Sequence, residues 1–161
     1  MSLAVNKVSS SLPVARRQAR LAAVQALYQA AFNTDTANVV QEFSKHRLGK
    51  KFENLSLEEA DIELFTDLYR GVERERAELD RLIAANLADN WKIERIDPVA
   101  RAILLSAIYE LWCRADIPPK VTIKEYVDLA HDFFGGKEPD FINGILDKLA
   151  HHLRPQEMAK S

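Results

Sequence analysis

The sequence predicts an all-α protein, a single compact helical bundle of about six or seven helices. Three observations carry this. Apolar residues recur at three- and four-residue spacing along nearly the whole chain, and strand-like alternation is almost absent. Ala, Leu, Glu and Arg are abundant, all good helix formers, while 161 residues hold only five glycines and six prolines. The main breakers, Pro118-Pro119 and Gly135-Gly136, fall between apolar stripes. With 47% apolar residues the chain suffices for one domain and can bury roughly two-thirds of its unfolded surface, so folding requires neither metal nor disulfide. The lone Cys113 excludes an internal disulfide and a multi-cysteine zinc site.

Residues 1–13 are serine-rich and read as a flexible tail. Leu21, Val24, Leu27, Tyr28 and Phe32 form one stripe, which predicts a first helix over 14–32. Val39, Val40 and Phe43 support a weaker helix near 35–46, followed by a basic, apolar-poor loop over 45–54. Ser56 and Glu59 form a capping box, and Ile62, Phe65, Tyr69, Val72, Leu79 and Ile83 carry that helix to about Asn86. Arg76 lies in this stripe, its stem expected to pack and its charge to reach the rim. Asp97-Pro98 starts a helix apolar nearly all round to Trp112, which makes it central or gives it one face for a partner. Thr122 and Glu125 suggest a second capping box, for a helix using Tyr126, Val127, Ala130 and Phe133 and ended by Gly135-Gly136. Pro139 opens a last helix through Leu153, with 154–161 as a C-terminal tail.

The formal charge of −2 excludes a globally basic nucleic-acid binder, but charge is unevenly distributed. Residues 1–20 hold Lys7, Arg16, Arg17 and Arg20 and no acid; Lys45, Arg47, Lys50 and Lys51 form a second basic cluster; residues 58–80 hold nine acids against three arginines. Such a chain can offer a basic face to a polyanion and stay soluble. No apolar run approaches the roughly 18 residues of a membrane span, and no secretory signal is present, so a cytoplasmic location and no membrane contact are expected.

Catalytic chemistry is thin. His151 and His152 are adjacent and do not share a helix face, which makes them a poor metal pair. Asp128, His131 and Asp132 form the one arrangement a metal enzyme could use, against an ordinary polar helix face. No glycine-rich phosphate loop exists. The sequence therefore reads as a non-enzyme without cofactor or metal. Arg16, Arg17, Gln18 and Arg20 would fall in the first turn of the first helix, where cations oppose the macrodipole. A polyanion would relieve that cost, because guanidinium groups and free N–H groups at a helix start converge on phosphates; a solvated, frayed end is the alternative. Asn143-Gly144 interrupts a helical stripe. Close helix approach explains it structurally; functionally, Asn143 and Phe141 would face a ligand together, amide and aromatic being suited to unstacked bases.

Several of these segments resemble the NusB family of bacterial transcription antitermination factors. They are Ala15-Arg16-Arg17-Gln18-Ala19-Arg20 with Ala23–Tyr28, Asp97–Leu104 with Tyr109-Glu110-Leu111, Ile117–Val121 with Ile123 and Glu125, and Phe141–Lys148. They occur in the family's order over about residues 14–153. The resemblance implies an all-helical protein binding single-stranded boxA-like RNA of ribosomal RNA leaders. Its partner would be NusE, also a small-subunit ribosomal protein, within the antitermination complex of RNA polymerase. Some relatives dimerise, which makes a homodimer a further expectation. It further implies RNA-binding roles for Arg16, Arg17 and Arg20 and for Phe141 of the Phe-x-Asn-Gly motif; Gln18 within the cluster, Asn143 beside Phe141 and Tyr28 as an aromatic contact complete the expected RNA-binding set. Gln18 stands where many members carry another basic residue, and Asp140 where relatives often carry Lys. The module also resembles the N-terminal RNA-binding part of certain ribosomal RNA cytosine methyltransferases; with no cofactor loop, the stand-alone form is expected. A helical protein–protein module, its arginines incidental, is the alternative.

Overall fold

The structure is a computed structural model that describes residues 2–31, 61–88 and 92–159, with side chains from Leu12 onward. Seven α-helices, one 3-10 turn and no strand occur among them. The helices are α1 (Ser2–Ala30), α2 (Ile62–Arg74), α3 (Arg76–Ala85), α4 (Pro98–Cys113), α5 (Pro119–Phe133), α6 (Glu138–Leu153) and α7 (Pro155–Ala159); the 3-10 turn is Ile93–Arg95. The expected helix over 35–46, the basic loop with Lys45–Lys51, and the Ser56/Glu59 capping box lie outside the described residues. The chain divides into two compact units, Met1–Tyr69 and Arg70–Ser161, with the boundary inside α2.

In the first unit, α1 starts at Ser2, well before the predicted start at 14, and runs through Pro13. A proline inside a helix removes one backbone donor and crowds the preceding turn, but the helix continues across it. The arginine cluster therefore lies about four turns inside the helix rather than in its first turn, and the macrodipole penalty disappears. Ala15, Ala19, Ala22, Ala23, Val24, Ala26 and Leu27 are buried. Asp61 starts α2: one carboxylate oxygen accepts from the Leu64 N–H at 2.8 Å, and its own N–H donates to the Ala15 carbonyl at 3.3 Å. Phe65 and Tyr69 stack, with ring centroids 6.4 Å apart. Ile62, expected in the stripe, is exposed, and Leu64 and Leu68 fill the core positions.

In the second unit, the helix predicted to run unbroken to Asn86 is interrupted at Glu75, whose φ of −101° and ψ of 16° separate α2 from α3. Arg76 there is half-buried and pairs with Asp80, which also binds Arg101 at 3.1 Å. Gly71 precedes the break, and a Cβ there would sit 2.1 Å from Tyr109 Cζ. The Tyr109 hydroxyl accepts from Arg74 at 3.2 Å, and this bond, with Glu75, raises the Arg74 pKa further above its usual range.

α4 is capped as predicted: Asp97 accepts from the Val99 and Ala100 N–H groups at 2.8 and 3.3 Å. It is buried continuously from Ala102 to Leu111 and packs against α3, α5 and α6. Of the two readings of its all-round apolarity, the central one holds; those positions offer no face to a partner. Ser106 and Glu110 are buried with the apolar residues. Glu110 accepts from the Thr122 hydroxyl at 2.6 Å and the Tyr126 hydroxyl at 3.1 Å, and Tyr126 shares a 2.7 Å bond with Ser106. Thr122 therefore does not cap a helix. α5 has already begun at Pro119, and Thr122 faces inward to satisfy a buried carboxylate.

Candidate nucleic-acid interface

The four-residue cluster on α1 splits by helical geometry. Arg17 and Tyr28 are both exposed, and their separation of eleven residues, close to three turns, places them on one side of the helix about 16 Å apart. Leu21 and Gln25, half-buried, continue the line between them. Arg16, one position round, keeps 28% of its side chain exposed, with Nε 3.7 Å from Asp61 Oδ2. Asp61 thus caps α2 with one oxygen and faces Arg16 with the other. Arg20 is only 2% exposed and Gln18 is buried, with Arg20 engaged within the molecule. The sequence grouped three guanidinium groups as one cationic tip; the structure leaves Arg17 exposed and Arg16 partly so, and turns Arg20 inward.

Phe141 and Asn143, expected to face one ligand together, line different grooves. Two positions on a helix are about 200° apart, so they point to opposite sides. Phe141, half-buried near the start of α6, lines a groove with Arg95, Ile96, Asp97, Ala100, Lys137 and Glu138. Arg95 and Lys137 are exposed at this groove, so an aromatic ring lies in a concavity that two cations also line. Neither was singled out in the sequence, where each is an isolated charge; only the packing of the 3-10 turn beside α6 joins them. Asn143 is exposed in a separate groove with Lys120, Lys124, Asp140 and Asp147 over Ile123 and Val127. Asp140 also lines the Asn143 groove. Gly144 is exposed, and nothing lies within 4 Å of where its Cβ would be, so close helix approach does not explain it.

The metal-enzyme arrangement does not assemble. Asp128 pairs with Lys124 at 2.8 Å, and His131 and Asp132 are exposed on the helix surface. Among the described residues no group of three or more His, Cys, Asp or Glu side chains is placed to hold a metal ion. Among the same residues no helix is long and apolar enough to cross a membrane.

Comparison with known proteins bears on this geometry. A family model described as the NusB family matches residues 17–151. The chain belongs to the NusB family. The transcription antitermination protein NusB of Caulobacter vibrioides is 45% identical over 140 residues, covering 86% of this chain and 94% of that protein. Its counterpart in Novosphingobium aromaticivorans is 44% identical over 141 residues, covering 87% and 95%. The solved structure of T. maritima NusB superposes with a TM-score of 0.72 at 32% identity, covering 91% of this chain and 97% of that one. The NusB-family match takes in Arg17, Gln18, Arg20, Tyr28, Phe141 and Asn143, and Arg16 immediately precedes it.

Proposed function

We propose that this chain is a non-enzymatic, RNA-binding transcription antitermination factor that acts with NusE on single-stranded boxA-like RNA of ribosomal RNA operons. The observation that carries the reading is its NusB-family membership, with relatives named as transcription antitermination proteins matching along nearly their full length. Arg17 and the partly exposed Arg16 contact phosphates, and Tyr28 offers an aromatic face on the same line. Arg20 and Gln18 support the helix from within. In the second unit, Phe141 stacks with an unpaired base, and Arg95 and Lys137 take the neighbouring phosphates. Asn143, on the opposite side of α6, contributes from its own groove.

The test is fluorescence anisotropy of a labelled boxA-like RNA with the purified chain, alone and with NusE, and with DNA of the same sequence. RNA-selective binding that tightens with NusE supports the proposal. NusE binding that is indifferent to RNA and to Arg16→Ala plus Arg17→Ala would mean a protein–protein module instead.

A further inference from the structure

Residues 154–161 read as a tail in the sequence, yet Arg154 is only 8% exposed. It stands at the joint of two helices: its N–H donates to the Ala150 carbonyl at the end of α6, and its carbonyl accepts from Met158 in α7. Pro155 prevents α6 from continuing, and Arg154 leaves the helix with φ −135° and ψ 56°. From there its side chain reaches the far end of α4. Nη1 donates to the carbonyls of Leu111 and Arg114, both at 3.3 Å; Nη2 donates to those of Ala115 at 3.3 Å and Ile117 at 3.0 Å. Nε and Nη2 also donate to the two carboxylate oxygens of Glu157, at 2.6 and 2.7 Å.

The four carbonyls belong to the last turn of α4 and the connection into α5. A helix C-terminus leaves its final carbonyls without intrahelical donors and carries the negative end of the helix dipole. One guanidinium supplies a donor to the Leu111 carbonyl of that turn, joins the Ile117 N–H at the Arg114 carbonyl, reaches the carbonyls of Ala115 and Ile117 beyond it, and brings compensating charge. Arg114, whose side chain is 13% exposed, pairs within the same connection with the 55% exposed Asp116.

We propose that residues 154–159 form a C-terminal latch: Arg154, oriented by Glu157, holds the α4–α5 connection closed, and that connection opens when the latch is released. A planar fork is required. A lysine ammonium is a single point and cannot serve four carbonyls spread along the turn. Because Trp112 and Cys113 are exposed on the last turn of α4, the latch also determines how that turn is presented.

Amide hydrogen exchange on the full chain tests this. The reporters are the Arg114 and Ile117 amides, which donate to the Glu110 and Arg114 carbonyls at 3.0 and 3.2 Å. Arg154→Met is expected to speed their exchange about tenfold or more, while Ile145, Leu146 and Leu149 in α6 keep their native rates. Arg154→Lys restores little. Glu157→Gln, at a carboxylate 45% exposed and safe for folding, gives a smaller rise confined to the same amides. Native rates at Arg114 and Ile117 in the variants that fold, or equal acceleration in α6, would overturn the latch.

Discussion

Arg17 and Arg20 are three residues apart and look equivalent in the sequence, yet one faces solvent and the other is 2% exposed. Their substitutions should separate accordingly. Arg17→Ala is expected to weaken RNA binding several-fold and make the log-affinity against log-salt slope shallower by about 0.7. Arg20→Ala is expected to lower stability by about 1–3 kcal/mol, seen by circular dichroism melting, because it removes a buried, engaged side chain. Two glycines make a similar pair. Gly71→Ala drives a Cβ into the buried Tyr109 ring and should cost about 1–3 kcal/mol or more. Gly144→Ala meets open space in an exposed helix and should stabilise by up to about 1 kcal/mol. Denaturant midpoints of the two variants moving in the same direction would contradict that reading.

At the scale of elements, a capping signal was sound where the chain left no competing start and misled where one lay nearby. Asp97 caps α4 with two short contacts, and Asp97→Ala should cost about 0.5–2 kcal/mol by chemical denaturation. Thr122 has the spacing of a cap, but α5 starts at Pro119, and the hydroxyl instead meets Glu110 across the α4–α5 contact. Thr122→Val should therefore cost about 1–3 kcal/mol, because a buried carboxylate oxygen loses this 2.6 Å donor. A true cap would give a smaller loss confined to the first turn of α5, which exchange rates there would reveal. The break between α2 and α3 had no warning: neither proline nor glycine occupies Glu75, and the apolar stripe continues through it to Leu79 and Ile83.

For the molecule as a whole, the net charge of −2 masks cationic points on both units, Arg16 and Arg17 on the first and Arg95 and Lys137 on the second. If these four cations each neutralise one phosphate, the expected salt slope on single-stranded RNA is about −2.8, or roughly a 50-fold loss of affinity between 50 and 200 mM salt. Anisotropy titrations across that range measure it. A flat response would leave the proposed contacts without an electrostatic basis. Some carboxylates of the acidic stretch are paired with arginines within and beyond it. Asp80 binds Arg76 and Arg101, and Glu78 binds Arg81, a hydrogen bond that lowers the Glu78 pKa below its usual value.

The apolar period, the helix formers and the placement of Pro98, Pro118-Pro119 and Gly135-Gly136 determined the helical class and the order of α4, α5 and α6. Periodicity reports which side of a helix is apolar, and that information is local. It does not report which polar side chains are drawn inward, because that depends on unpaired groups contributed from elsewhere in the chain. Tertiary packing alone gave Thr122 the Glu110 carboxylate and Arg154 the carbonyls at the end of α4; it also joined Arg95 and Lys137 to Phe141 in one groove. A buried donor or acceptor must find its complement in space, and that complement can lie forty residues away, beyond the reach of any helical spacing.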